Sequence, residues 1–170
     1  MKYYTKEHFI TMSWKNGGGQ TVELFRLPQS GDFLFRLSMA DVKQDGDFSL
    51  FPGIDRYLMI LKGQGCELIF KDRSTILRPQ ASPFLFKGEE SIFCKLLAGP
   101  IQDFNIMINR NWGQVSVEII RSSQGEIHLN CSEDYLYVYN PEEEMLIELQ
   151  KDESIKLLST HLIITRLSLF

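Results

Sequence analysis

Histidine is scarce in this sequence. His8, His128 and His161 are the only three in 170 residues, and none lies between residues 9 and 127. Residues 9–127 therefore have no imidazoles from which to build a multi-histidine metal site. His128 and His161 sit in strand-like runs with no second ligand two residues on, the pattern of packed or surface histidines. Cysteine is sparse as well. Cys66, Cys94 and Cys131 are odd in number and widely separated, so buried thiols in a reducing cytoplasm fit better than a disulfide framework. No apolar run approaches the roughly 20 residues of a membrane helix, and the N-terminal MKYYTKEHFI is too polar for the core of a signal peptide. There is no block of Lys and Arg, and the net charge is −4. Nucleic-acid partners normally leave a basic footprint, and none is visible. These absences together imply a cytoplasmic protein with neither a membrane nor a nucleic-acid partner.

What is present is β pattern almost throughout. In FLFRLSMA, Phe33, Phe35, Leu37 and Met39 point one way, and Leu34, Arg36, Ser38 and Ala40 the other. Including TVELFRL (21–27), about fourteen such runs follow one another, ending with HLIITRL (161–167). They are separated by turn signals such as DG at 45–46, PG at 52–53, QG at 124–125 and NP at 140–141. No segment holds a 3.6-residue period, and MADVKQD has room for one helical turn at most. The expected fold is all-β, a sandwich or jelly-roll barrel. Fourteen strands exceed one small barrel, so two halves are expected, 1–98 and 99–170, with strands free to exchange between them. Sheet edges favour a homodimer.

The stretch WKNGGGQT invites a phosphate-loop reading and does not support it. A Walker loop needs Lys and Ser/Thr after its last glycine, and a dinucleotide fingerprint needs a following helix. Here no Lys follows, and the sequel TVELFRL is built of β formers. A turn feeding a strand remains. Its flanks, Trp14, Lys15 and Asn16, offer a flat apolar face, a cation and an amide, suited to the rim of a small-molecule site.

Several blocks in order, WKNGGGQTVEL, FRLSMADVKQDGDFSLFPGIDRYLMILKGQG, PFLFKG and LLAGPIQDFNIMINR, resemble the HutD/Ves family. The resemblance runs from about Trp14 to Arg110. It implies a cupin-like fold of two β-barrel halves and a ligand-sensing or regulatory role, associated with histidine utilisation or stress, more than a settled enzyme class. Metal-binding cupins carry two His and a Glu at fixed spacing in their first motif. Aligned on Gly63, those positions fall on Ser49, Phe51 and Arg56. The second motif maps loosely onto Phe86-Lys87-Gly88-x2-Ser91, without its histidine. No metal and no cofactor is expected.

Arginine in place of a metal-binding carboxylate inverts the field of the barrel. A buried Arg56 needs a partner, either an internal acid such as Asp103 or an anionic ligand. Arg36 and Ser38, on the polar face of their strand, suit the same cavity, because a guanidinium fork matches a carboxylate. The expected ligand site thus has Arg56, Arg36 and Ser38 as anchors and Trp14, Lys15 and Asn16 as rim. Asp103 and Asn105 form the floor, and Phe48 and Phe51 the wall. The leading reading is a metal-free receptor for a small carboxylate-bearing metabolite; the resemblance suggests a histidine-degradation intermediate such as a formylated amino acid. Two alternatives stay open. One is a metal-independent epimerase or isomerase, in which Tyr57 is a candidate acid. The other is a stress-related protein acting through an interface without a ligand. No nucleophile elbow is present.

Overall fold

The computed structural model describes residues 1–121 and 125–170. Seventeen strands are numbered in chain order among them. They are β1 (Lys2–Tyr4), β2 (Ile10–Ser13), β3 (Gly19–Leu27), β4 (Phe35–Val42), β5 (Gly46–Asp47), β6 (Ile54–Lys62), β7 (Cys66–Ile69), β8 (Ser74–Leu77), β9 (Phe84–Lys87), β10 (Phe93–Leu96), β11 (Ile101–Asn109), β12 (Gly113–Arg121), β13 (Glu126–Asn130), β14 (Tyr135–Asn140), β15 (Met145–Gln150), β16 (Ser154–Leu158) and β17 (His161–Leu169). The one helical element among the described residues is a 3-10 turn at Lys6–His8. All fourteen expected strands form. The additional three, β1, β2 and β5, are short and mostly exposed, so they carry no apolar alternation. The helical turn allowed for MADVKQD does not form: Met39–Val42 completes β4. Gln124 of the expected QG turn lies outside the described residues.

The chain forms two compact units, Ile10–Arg110 and Met1–Phe9 with Asn111–Phe170. The expected joint after residue 98 gives way to one at Arg110, because β11 is a central strand of the first unit. There the larger sheet runs β2-β3-β4-β11-β6-β9 and the smaller β5-β10-β7-β8. Apolar side chains from both sheets form one core: Leu58 and Ile60 from β6, Cys66 and Leu68 from β7, Leu77 from β8 and Cys94 from β10. Each large side chain buried this way contributes about 1.5–3 kcal/mol before the entropy of ordering it is counted. The second unit has a five-stranded sheet, β1-β15-β14-β17-β12, and a ribbon, β13-β16. Leu136, Val138, Ile147, Leu149, Leu162 and Ile164 anchor its core.

Cys66 and Cys94, distant in sequence, lie on the paired strands β7 and β10. All three cysteines are free and buried. The Cys66 contact and then burial push the Cys94 thiol well above its usual range, which makes it a poor nucleophile. No helix among the described residues is long and apolar enough to cross a membrane.

Candidate functional site

Strand register decides which side chains share the inner face of the larger sheet. On β4, β11, β6 and β9, Arg36 stands opposite Met107, Met107 opposite Arg56, and Arg56 opposite Phe86. Two residues along, Ser38, Asn105 and Leu58 form the next row, and Ala40, Asp103 and Ile60 the one after. With a side-chain period of two, these three rows face one way. Their polar members border a cavity of about 520 Å³ inside the first unit, within the roughly 300–1,000 Å³ usual for small-ligand sites.

Arg36, Ser38, Phe51, Arg56, Asp103 and Asn105 line this cavity, together with Trp14, Lys15 and Asn16. The loop before β3 places the last three. The Gly17 amide donates to the Trp14 carbonyl at 3.0 Å, the Gly18 amide to Asn16 Oδ1 at 2.9 Å, and the Trp14 indole N–H to Thr21 Oγ1 at 2.9 Å. Gly19 is required by close approach. A Cβ there would stand 2.2 Å from the Asp41 carbonyl oxygen and 3.1 Å from the Trp14 ring. Gly88 plays the matching part behind the Phe51 wall: its amide donates to the Ile54 carbonyl, its carbonyl accepts from the Phe51 amide, and a Cβ would meet Phe51 O at 2.4 Å.

Arg56 dominates the floor. It is 6% exposed. Its Nη2 donates to Asn105 Oδ1 at 2.9 Å and its Nη1 weakly to the Ser49 carbonyl at 3.4 Å, while Nε, also buried, has no acceptor. The guanidinium carbon lies 4.9 Å from the Phe86 ring centroid, 5.2 Å from Phe48 and 5.4 Å from Phe51, close enough for cation–π attraction on three sides. Burial pushes its pKa down to about 10, against the pull of Asp103 and with the help of Arg36. The ion pairs of this unit join Arg36 to Glu23, Arg73 to Asp72 and Glu90, and Arg110 to Asp55 and Glu89. Among the described residues, neither Arg56 nor Asp103 belongs to one.

The expected Arg56–Asp103 strut is therefore indirect. Asn105 stands between them, accepting from Arg56 and donating through Nδ2 to Asp103 Oδ1 at 2.6 Å. Asp103 is 2% exposed. Burial pushes its pKa up to about 7, despite Arg56, the Ala40 amide and the Asn105 amide, all of which favour the carboxylate.

Arg36, expected as an anchor beside Arg56, lines the cavity and also has an internal partner. Its Nε donates to Glu23 Oε2 at 2.6 Å, with both side chains mostly buried. Its charge is matched internally, and Phe33 lies under it at 5.8 Å. Glu23 was not anticipated. It lies on the inner face, opposite Ser38, but the register shifts between Glu23 and Phe25, so alternation counted back from the rest of β3 does not place it there. Asp45 and Asp47 are exposed and border the cavity, as do Gln44 and Phe48. Asp45 accepts from the Leu96 amide at 2.8 Å, a tie no local pattern signals.

The positions corresponding to a cupin metal set do not fit a metal. Ser49, Phe51 and Arg56 all line the cavity, but they offer a hydroxyl, a ring and a cation. No group of three or more His, Cys, Asp or Glu suited to an ion occurs among the described residues. His8, His128 and His161 all belong to the other unit. Tyr57 alternates with Arg56 along β6 and does not border the cavity.

The HutD family model matches residues 6–167, well beyond the sequence blocks that end at Arg110. An uncharacterized 21.2 kDa protein in the hutC 3′ region of Pseudomonas putida is 41% identical over 103 residues, 59% of this chain and 54% of that protein. The match thus spans about half the length of that curated relative. HutD from Pseudomonas fluorescens SBW25, determined in a formate condition, superposes with a TM-score of 0.84 at 23% identity, covering 99% of this chain and 98% of that one. A conserved protein of unknown function from Pseudomonas aeruginosa PAO1 gives 0.81 at 23%, covering 98% of each chain. AerE from Microcystis aeruginosa gives 0.62 at 12%, covering 99% and 98%. At these identities the likenesses speak to fold, which is all-β and cupin-like. On the family match, the chain belongs to the HutD family.

Proposed function

We propose that the unit Ile10–Arg110 is a metal-free receptor for a small carboxylate-bearing metabolite, seated on Arg56, with a sensing or regulatory output. One observation carries the reading: a guanidinium buried on a cavity floor, with donors unspent and no carboxylate in an ion pair with it. A charge so placed is costly unless something compensates it. A carboxylate entering the cavity supplies that compensation, and the planar fork suits its two oxygens. Phe48 and Phe51 exclude water around the pair, which strengthens it. Trp14, Lys15 and Asn16 border the opening. Arg36, already held by Glu23, contributes its remaining donors and its field rather than an unmatched charge.

The ligand class follows from the site, and the choice within it from the relatives. One relative is encoded in a hutC 3′ region and another is a HutD determined in a formate condition. We therefore propose histidine-degradation intermediates, including formylated amino acids, as the first compounds to test. A thermal-shift screen of amino-acid and carboxylate metabolites is the experiment, since a ligand of the folded state raises the melting temperature by mass action. A hit that vanishes in Arg56→Met supports the receptor; silence across the library overturns it.

The second reading is a metal-independent acid–base enzyme. The observation favouring it is Asp103, a buried carboxyl in the cavity wall brought close to neutrality. NMR of each hit after incubation separates the two: a receptor returns it unchanged, an enzyme converts it.

A further inference from the structure

The floor of the cavity is a line of three side chains. Arg56 Nη2 reaches Asn105 Oδ1 at 2.9 Å, and Asn105 Nδ2 reaches Asp103 Oδ1 at 2.6 Å. Arg56 and Asp103 are both buried, and only one amide separates them. Arg36 and Glu23 form their own pair. The floor thus holds one cation and one titratable acid in balance. An anion that lands on Arg56 brings a second negative charge to within one side chain of Asp103, in a medium where like charges repel strongly.

We propose that anion capture on Arg56 is coupled to proton uptake: the floor takes one monoanion together with one proton, which the Asp103 carboxylate accepts from solvent. The inference rests on the carboxylate-receptor reading and specifies how that site is regulated. Balance is simple. Arg56 stays charged, the ligand stays charged, Asp103 becomes neutral, and the proton comes from water or buffer.

The groups facing Asp103 are consistent with it as the proton acceptor. From β4 come Arg36 and, at the strand's end, Asp41, whose carboxylate accepts from Gln20 and Gln102. From β6 comes Arg56. From β10 comes Cys94 and from β7 Cys66; the Cys94 thiol is held well above its usual range and stays neutral. Asp45, in the turn after β4, adds a further negative field near Cys94. No histidine lies anywhere in Ile10–Arg110, so no imidazole titrates in this unit. Asp103, pushed up to about 7 chiefly by burial, is the group poised to change charge around neutrality.

The test uses the whole protein and sodium formate, followed by Trp14 fluorescence in a Trp112→Phe background and by calorimetry in buffers of different ionisation enthalpy. If formate binds only when Asp103 is neutral, its Kd weakens about tenfold from pH 6 to pH 8, with close to one proton taken up per formate at pH 8 and almost none well below pH 7. Asp103→Asn, where it folds, should bind at pH 8 as the parent does at pH 6, with no pH dependence. Where it does not fold, the parent's proton uptake decides alone. A Kd that stays level from pH 6 to pH 8 with no proton exchanged overturns the coupling while leaving the receptor standing. Failure of formate to bind at either pH removes the receptor reading, and the coupling with it.

Discussion

Replacing Arg56 by methionine separates a receptor from an internal strut. Burial lowers the guanidinium pKa from 12.5 to about 10, so holding the charge at this buried position costs about 3 kcal/mol. Against this stand one charge-assisted hydrogen bond to Asn105, about 1.5–3 kcal/mol, and the contacts with Phe48, Phe51 and Phe86, about 0.5–2 kcal/mol together. Methionine fills the ring-lined space with a flexible thioether that favours aromatic edges. It leaves Asn105 Oδ1 without that donor, a cost already contained in the lost hydrogen bond. Asp103, deprived of its cation, takes a proton instead of remaining an orphaned charge. These opposing effects nearly cancel, and Arg56→Met should change stability by less than about 2 kcal/mol. A strut in a direct buried ion pair would lose about 3–5 kcal/mol. Carboxylate binding behaves differently. Two lost charge-assisted bonds amount to about 3 kcal/mol or more, at least a hundredfold in Kd. Urea unfolding at pH 7 reads the first quantity and calorimetric titration with a screening hit the second. A variant destabilised by 4 kcal/mol that still binds within threefold of the parent would refute the reasoning.

Other expectations follow from the same geometry. Because the Asp103 pKa is raised from 3.8 to about 7, its contribution to stability is fully present below pH 4 and is lost as pH rises to 7; the stability difference between Asp103→Asn and the parent should therefore shift in favour of the variant by a few kcal/mol, about 4 at most, between pH 4 and pH 8, read by denaturant titration across pH. Glu23→Gln leaves a mostly buried Arg36 without its counter-charge and should cost about 3 kcal/mol, whereas Glu23→Leu combined with Arg36→Met should fall near the parent; additive losses in the double variant would contradict the pairing. Gly19→Ala forces a Cβ against the Asp41 carbonyl and the Trp14 ring and should lose about 1–3 kcal/mol with a shift in Trp14 emission; an unshifted spectrum would argue against the described loop.

The inner face of the site was legible because strands alternate. Arg36 and Ser38 on one strand, and Asp103 and Asn105 on another, show the same two-residue spacing in the sequence and share one face in the structure. Arg56 stood out because it takes the position of the carboxylate in the cupin motif counted back from Gly63. The partners were harder to see. Glu23 meets Arg36 across a strand pair whose register slips, and a one-residue slip reverses every inference from alternation. The Asn105 bridge between Arg56 and Asp103 depends on β11 lying between β4 and β6, a strand order that a linear pattern does not encode. The same strand explains the shift of the unit boundary from residue 98 to Arg110. β2 was missed because its residues, Ile10 and Met12 included, are exposed, leaving no buried face to mark it.

The central claim is that the unspent donors of Arg56 meet a ligand carboxylate. The most direct measurement is a ¹⁵N–¹H spectrum of the arginine side chains during titration with sodium formate. The Arg56 Nε–H signal, which has no acceptor among the described residues, should move downfield to saturation, while that of Arg36, already committed to Glu23, moves much less. An Arg56 signal unmoved at saturating formate would contradict it.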